Sequence, residues 1–410
     1  MKIVIIGAGV AGAILAHRLH GLPGIELLCL ERVGLGDHAE AGTGLNVGPN
    51  AIKALRRADP ALAAEVEAAS LPWNRWTTSL ADGTVLADLP LPQVADNPGI
   101  RIRWSELYRV LRTAAGTAIR YGCTITGIGR DPARPGCTVV EWTQGSQAYR
   151  MDGIDLLVGC DGRYSDVRAA FSGAPEPHHI GAAIGRALVE DSSGGLIDDY
   201  GQWFNGDHRL LAFRVKPGHV YIAATFPTEP GAPVRPEWST EAVVRAAWQP
   251  TSGKPLSAQM QWLLDAFCGA LADSHWARVQ ESEPRFAEPD AGVLYLGDSA
   301  HGMVPTLGQG ATQAMEDACA AALILEREIR AGSWDVRAWL ATIEAARLER
   351  VRFVMALSVA ATDTLLAGAD PVAGTRWKTE PPFLADLARL YRDVALGDAS
   401  ATPAAEPVAG

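Results

Sequence analysis

An α/β fold built on a parallel sheet, interrupted by a second, sheet-rich unit and closed by long helices, follows from three features of the sequence. A β-branched run, Lys2 to Ile6, stops at Gly7, Gly9 and Gly12 and gives way to helical spacing of Ile14, Leu15 and Leu19, which reads as strand, glycine turn and helix. A second apolar run, Ile25 to Leu30, ends at Glu31 and completes a β-α-β unit of nucleotide-binding type. Two further buried runs, Ile154 to Gly159 and Gly292 to Gly297, each lead into an aspartate, and ligands gather outside the carboxyl ends of such strands.

From about Pro177 to Pro284 the pattern changes. Ala182 to Val189, Leu210 to Val215 and Val220 to Thr225 read as strands of an inserted sheet. After Gly308, Ala311 to Arg330 is apolar at helical spacing, and Val336 to Leu366 continues as one or two long amphipathic helices. The last stretch, GDASATPAAEPVAG, is small and proline-rich and is expected to fray. No internal repeat is present.

Composition narrows the function. The chain has 410 residues, enough for about two to three domains. With 48% hydrophobic and 20% charged residues it is an ordinary globular chain. Its net charge of −11 repels phosphate backbones and anionic headgroups, so neither nucleic acid nor a membrane is an expected partner. The six cysteines are scattered, without metal-ligand spacing, and read as buried small hydrophobes of a reducing cytosol; no metal is expected. The charged, apolar start resembles a signal peptide, but three glycines break it, and no run approaches the ~20 apolar residues of a membrane helix. A cytoplasmic protein is expected.

Three motifs carry chemistry. In G-x-G-x-x-G the first glycine permits the tight turn, the second lets backbone amides approach a pyrophosphate and the third packs helix on strand, while Glu31 stands where an acid meets a ribose hydroxyl. The second motif is CDGRYSDVR, Cys160 to Arg168, in which Ser165 can cap the next helix. The third is LGDSAHGMVPTLGQGATQAMEDA, Leu296 to Ala318: an aspartate at a strand end, Pro305, a Gly308-Gln309-Gly310 turn and a helix. That helix start aims free amides and a positive dipole end at whatever lies over the turn, which suits a planar ring that becomes anionic.

In this order and spacing, from residue 1 to about 365, the motifs resemble the single-component FAD-dependent aromatic hydroxylases, the p-hydroxybenzoate hydroxylase-like group of flavoprotein monooxygenases. The resemblance implies that Gly7, Gly9, Ala11, Gly12, Glu31 and Arg32 hold the ADP half of FAD. It implies that Asp161 serves the pyrophosphate and transient NAD(P)H contacts, and that Asp298 holds the ribityl chain. Pro305, Gly308, Gln309, Gly310 and Ala311 would lie against the isoalloxazine. The segment Gly42 to Leu55, which contains Gly44, resembles the flavin-flanking loop and helix, and Ile343 to Arg352 the C-terminal helix signature. Where the family places an arginine beside the flavin, this chain has Arg103-Trp104-Ser105-Glu106-Leu107. Either Arg103 or Trp104 makes that contact. Thr312 stands where asparagine is commoner.

The implied domains are an FAD-binding domain of residues 1–71, 98–176 and 286–366, a substrate-binding domain of 72–97 and 177–285, and a C-terminal helix with flexible tail, 367–410. The implied reaction takes NAD(P)H as co-substrate and O2, and hydroxylates a small phenolic or N-heteroaromatic ring, hydroxypyridine carboxylate-like or urate-like, through a C4a-hydroperoxyflavin. Strand alternation puts Arg209, Leu211 and Phe213 on one face and His208, Leu210, Ala212 and Arg214 on the other. We expect Arg209 and Phe213 to meet the substrate, and Asn46 and His301 to approach it from the flavin side. Trp73, Trp76 and Trp104 fall near the same region. A flavin oxidase or dehydrogenase, or a non-catalytic flavin-binding protein, remain the alternatives, and either a monomer or a homodimer fits.

Overall fold

A computed structural model describes residues 1–37, 43–250 and 253–397. Gly42 and the tail from residue 398 lie outside the described residues. At the centre Lys2–Ile6 pairs in parallel with Leu156–Gly159 on one side and Glu26–Leu30 on the other, with Ile5 beside Val158 and Cys29. Val293–Tyr295 and Ile119–Arg120 extend this sheet in parallel, and Ala287–Glu288 adds an antiparallel edge, giving six strands. Helices Val10–Leu19 and Gln309–Arg330 pack on each other against it. Gly7 adopts φ +93°, and a Cβ on Gly12 would lie 1.9 Å from the Gly7 carbonyl oxygen. Only glycine lets helix and strand approach this closely.

The second large sheet has seven strands, in the order 275–281, 178–190, 219–227, 208–215, 200–205, 75–80 and 85–90. All neighbours are antiparallel except Tyr200–Asn205 against Arg75–Leu80. The hairpin 75–90 was not read as strand in the sequence, nor was the three-stranded meander of 123–130, 138–144 and 147–154. One face of the seven-stranded sheet buries Leu210, Ala212 and Ile222 against helices Glu241–Ala247 and Ala258–Gly269. The opposite face, with Leu211, Phe213 and Tyr221, turns toward the nucleotide-type sheet. Alternation along 208–215 therefore sorts the side chains as the sequence predicts.

The single run 336–366 divides into a helix, Val336–Ala360, and a 3-10 turn, Ala361–Leu365. Helices Pro371–Trp377 and Pro381–Arg392 follow, the second packing on helix Pro49–Ala58. Among the described residues no helix is long and apolar enough to cross a membrane, and no group of three ligating side chains could hold a metal ion. The six cysteines are unpaired.

Candidate active site

The glycine turns and the inner face of the seven-stranded sheet enclose one elongated cavity of about 380 Å³. At one end lie Gly9, Val10 and Ala11, with Cys160, Gly162 and Arg163 opposite. A Cβ added to Gly9 would meet nothing within 4 Å, so this backbone opens on free space, whereas Gly7 and Gly12 are closed by Cys160 and by each other. Gly9→Val is therefore expected to keep its circular dichroism and unfolding midpoint while losing most of its bound FAD by absorbance. Unfolding instead would mean that Gly9 serves packing.

Midway along the cavity stand Asp298, Pro305, Gly308, Gly310 and Ala311. Gly308, at φ +66°, precedes a 22-residue helix that has no side-chain cap, so its first amides are left without a side-chain acceptor where Gly310 and Ala311 line the cavity. Asn46 lines the same stretch, and a Cβ on Gly308 would lie 2.6 Å from its Nδ2. Gly44 lets its strand pass the seven-stranded sheet: a Cβ there would lie 2.4 Å from that of Tyr221. Trp104 and Tyr108, ring centroids 5.2 Å apart on helix Trp104–Ala115, form the opposite wall. Arg103, at the cap of that helix, is off the wall, and its Nε is buried without a hydrogen-bond partner.

Several expected residues sit beside the cavity rather than on it. Glu31 is buried with its carboxylate turned to the glycine turn, accepting from the Ala8 amide at 2.6 Å and the Val33 amide at 3.1 Å, with Arg112 3.5 Å away. Arg32 is exposed. Asp161 accepts from Ser165 Oγ at 2.6 Å and the Val167 amide at 3.0 Å, and burial raises its pKa. It holds the helix start instead of facing the groove. Gln309 is fully buried and accepts from Asn50 at 3.1 Å.

His301, expected near the substrate, is fully buried away from the cavity, its Nε2 2.6 Å from Asp317 Oδ2. It belongs to an ionic cluster in which Arg347 contacts Asp317 at 2.8 Å and Glu316 at 2.9 Å. Burial would raise both carboxyls, but Arg350 and Arg347 hold Glu316, and His301 and Arg347 hold Asp317, below the ordinary range. Asp317 also accepts from the Gly297 amide at 2.9 Å, next to Asp298, so the cluster anchors the strand end that lines the cavity.

At the far end the sheet contributes Arg186, Tyr200, Arg209 and Tyr221. Arg209 is 3% exposed, and its Nη2 donates to Thr225 Oγ1 at 3.0 Å while Nε has no partner. No carboxylate among the described residues pairs with it. Burial lowers its pKa, and burial raises those of Tyr200 and Tyr221. Phe213, expected to face the ligand beside Arg209, is instead fully buried behind the wall, between Tyr200 and Tyr221 at 5.8 and 5.0 Å. Arg214, on the other face, is paired with Asp191 and Asp198. Tyr200, Tyr108 and Arg112 were not singled out in the sequence; Tyr200 carried one available signal, its alternation with Gln202 and Phe204 on a strand.

A nucleotide-type fold whose glycine turn, strand-end aspartate and uncapped helix start line one groove, continued by a buried cationic end, is the arrangement of a flavoprotein. The residues fit FAD: Gly9 leaves room for a pyrophosphate, and the helix start at Gly308 faces the place of the ring. Residues 1–183 match the family described as FAD binding domain. The chain is 27% identical over 396 residues to FAD-dependent urate hydroxylase of Mycolicibacterium vanbaalenii, covering 93% of this chain and 92% of the relative. To 6-hydroxynicotinate 3-monooxygenase of Pseudomonas fluorescens it is 26% identical, covering 87% and 90%. Among solved structures, Klebsiella pneumoniae HpxO complexed with FAD and uric acid superposes with a TM-score of 0.78 at 21% identity, covering 95% of this chain and 96% of that one. 2-Methyl-3-hydroxypyridine-5-carboxylic acid oxygenase gives 0.69 at 18%, covering 95% and 96%. Residues 1–183 thus carry an FAD-binding domain, and over most of its length the chain is similar to FAD-dependent monooxygenases of aromatic substrates.

Proposed function

We propose that this protein hydroxylates a small, flat, anionic phenol or N-heteroaromatic compound, hydroxypyridine carboxylate-like or urate-like, using NAD(P)H and O2. One observation carries the choice of substrate: Arg209, buried with no carboxylate partner among the described residues, faces the cavity. A buried cation is costly unless a counter-charge arrives, and a substrate oxyanion or carboxylate is that charge. Bound FAD, reduced by NAD(P)H, supplies the oxygen transfer to the ring.

The chain's own groups do the rest. Arg209 favours loss of a proton from a ring hydroxyl, because an adjacent cation stabilises the oxyanion that activates the ring. Gln202 Nε2 donates to Tyr200 Oη at 3.1 Å, which leaves the Tyr200 hydroxyl proton free to be donated into the cavity. Tyr221 lines the same wall, where the Arg186 guanidinium beside it works against the rise that burial gives its pKa. The apolar side chains of Ile184, Leu211 and Ala223 keep the pocket dry. Asn46 and Pro305 flank the ring from the flavin side.

In this reading residues 1–71, 98–176 and 286–366 hold FAD, and 72–97 with 177–285 hold the substrate; the seven-stranded sheet takes its strands from 75–90 and 178–281, which supports the division. The protein works in the cytoplasm as a monomer or homodimer. The test is the purified protein with NADH or NADPH and a panel of urate, hydroxynicotinates and hydroxybenzoates. We expect a yellow protein whose NAD(P)H oxidation is accelerated by at least one ring compound, with a product one oxygen atom heavier. Flavin reduction by an amine or alcohol without NAD(P)H would indicate an oxidase or dehydrogenase. No acceleration by any compound would leave a non-catalytic flavin protein.

A further inference from the structure

A second cavity, of about 220 Å³, lies on the other side of Arg209. Arg209 lines both cavities, and the partition is completed by the Tyr200–Gln202 pair and by the step from Pro305 to Thr306: the first of each faces the flavin cavity and the second this chamber. The chamber runs outward between the hairpin 75–90 and helices Pro371–Trp377 and Pro381–Arg392. Its inner end is buried at Gln202, Thr306 and Thr364, and its outer end is exposed at Asp88, Gln93 and Thr379.

The lining is chemically consistent. Trp76, Leu89, Phe204, Phe383 and Leu387 offer apolar and aromatic surface, and five threonines offer hydroxyls. The charged residues on the wall other than Arg209 are already paired, Lys378 with Asp363 at 2.6 Å and Asp88 with Arg75. With Arg209 engaged by an anionic head in the flavin cavity, such a wall receives a neutral, partly aromatic group and offers an ion no further counter-charge. Its volume exceeds the about 150 Å³ of an apolar cavity that takes up benzene.

We propose that this chamber binds a neutral, amphiphilic arm of the substrate, so that the natural substrate is a two-part molecule: an anionic aromatic head in the flavin cavity and an aryl- or amide-like substituent passing Arg209. The proposal rests on the reading of Arg209 as the anchor of the head. The arm contributes affinity by burying apolar surface, and the head alone aligns the reacting carbon.

The test uses the FAD-loaded protein. Salicylate and 6-hydroxynicotinate are each compared with their phenyl-substituted derivatives by titration of the flavin absorbance, and benzamide alone is followed by saturation-transfer NMR. At least one phenyl derivative should bind about tenfold or more tighter than its parent. Ala87→Trp, on the chamber wall, should abolish that preference and benzamide binding while leaving the parent acids unchanged; Thr379→Trp at the exposed mouth repeats the block should Ala87→Trp fold poorly. Equal affinity of every pair, or a preference that survives both blocks, overturns the chamber and leaves the hydroxylase reading standing. Benzamide binding that is blocked by Ala87→Trp, with no acid perturbing the flavin, upholds a neutral-ligand chamber and overturns the head at Arg209.

Discussion

Arg347→Met will lower folding stability by about 3–5 kcal/mol, read from urea unfolding. Arg347 is fully buried, and its three donors engage Asp317 at 2.8 Å, Glu316 at 2.9 Å and Gln313 at 2.6 Å. Methionine fills the volume but leaves two buried carboxylates whose remaining side-chain partners among the described residues include Arg350 and the His301 imidazole. Removing one member of a buried ionic cluster costs far more than the cluster contributes, because the stranded charges keep their desolvation penalty. The sign of the pH effect follows. Glu316 and Asp317 have folded pKa values below their unfolded ones, so their stabilisation is full above the ordinary carboxyl range and is lost as pH falls through the lowered values. In the variant that lowering is diminished, so the stability gap between parent and variant should hold from neutral pH down to the ordinary carboxyl range and narrow below about pH 4. A gap under about 1 kcal/mol, or one that widens in acid, would show that the cluster is not held by Arg347. FAD affinity should weaken as well, since Asp317 anchors the Gly297 amide and Asn50 bonds Gln309 beside Gly308, both next to residues that line the cavity.

Arg209→Ala is expected to raise the KM of the ring substrate at least about thirtyfold, the low end of the 2–5 kcal/mol lost with one partner of a buried charge pair. It should also divert NAD(P)H oxidation toward hydrogen peroxide, because the ring is no longer aligned or activated. The replacement behaves oppositely to Arg347→Met in stability. With no carboxylate partner among the described residues, Arg209 leaves no charge stranded when removed, and the folded protein should be as stable as the parent or more so. Arg209→Lys keeps the charge but not the planar fork and should fall between the two in KM. Unchanged KM and coupling alongside a marked loss of stability would assign Arg209 to packing alone.

Much of the fold was legible because its signals are local. The first strand, the left-handed turn at Gly7, the helix after it and the Ser165 cap, whose hydroxyl accepts from the Arg168 amide at 2.9 Å, each depend on a few adjacent residues. Alternation along 208–215 separated Arg209 from Arg214 for the same reason. The hairpin 75–90 escaped notice because its partner strand, Tyr200–Asn205, lies more than a hundred residues away and leaves no periodic trace beside it.

Residue types and spacing thus settled that the chain would build a nucleotide-type sheet with glycine turns and a long helix after Gly308, whose start lines the cavity. Depth and charge compensation came only with the packed structure. Asp191 and Asp198 neutralise Arg214 while nothing comparable reaches Arg209 among the described residues, and His301 is drawn to Asp317 instead of the cavity. Backbone geometry is dictated within a few residues of chain, whereas the field at a side chain is the sum over groups that only the fold brings near.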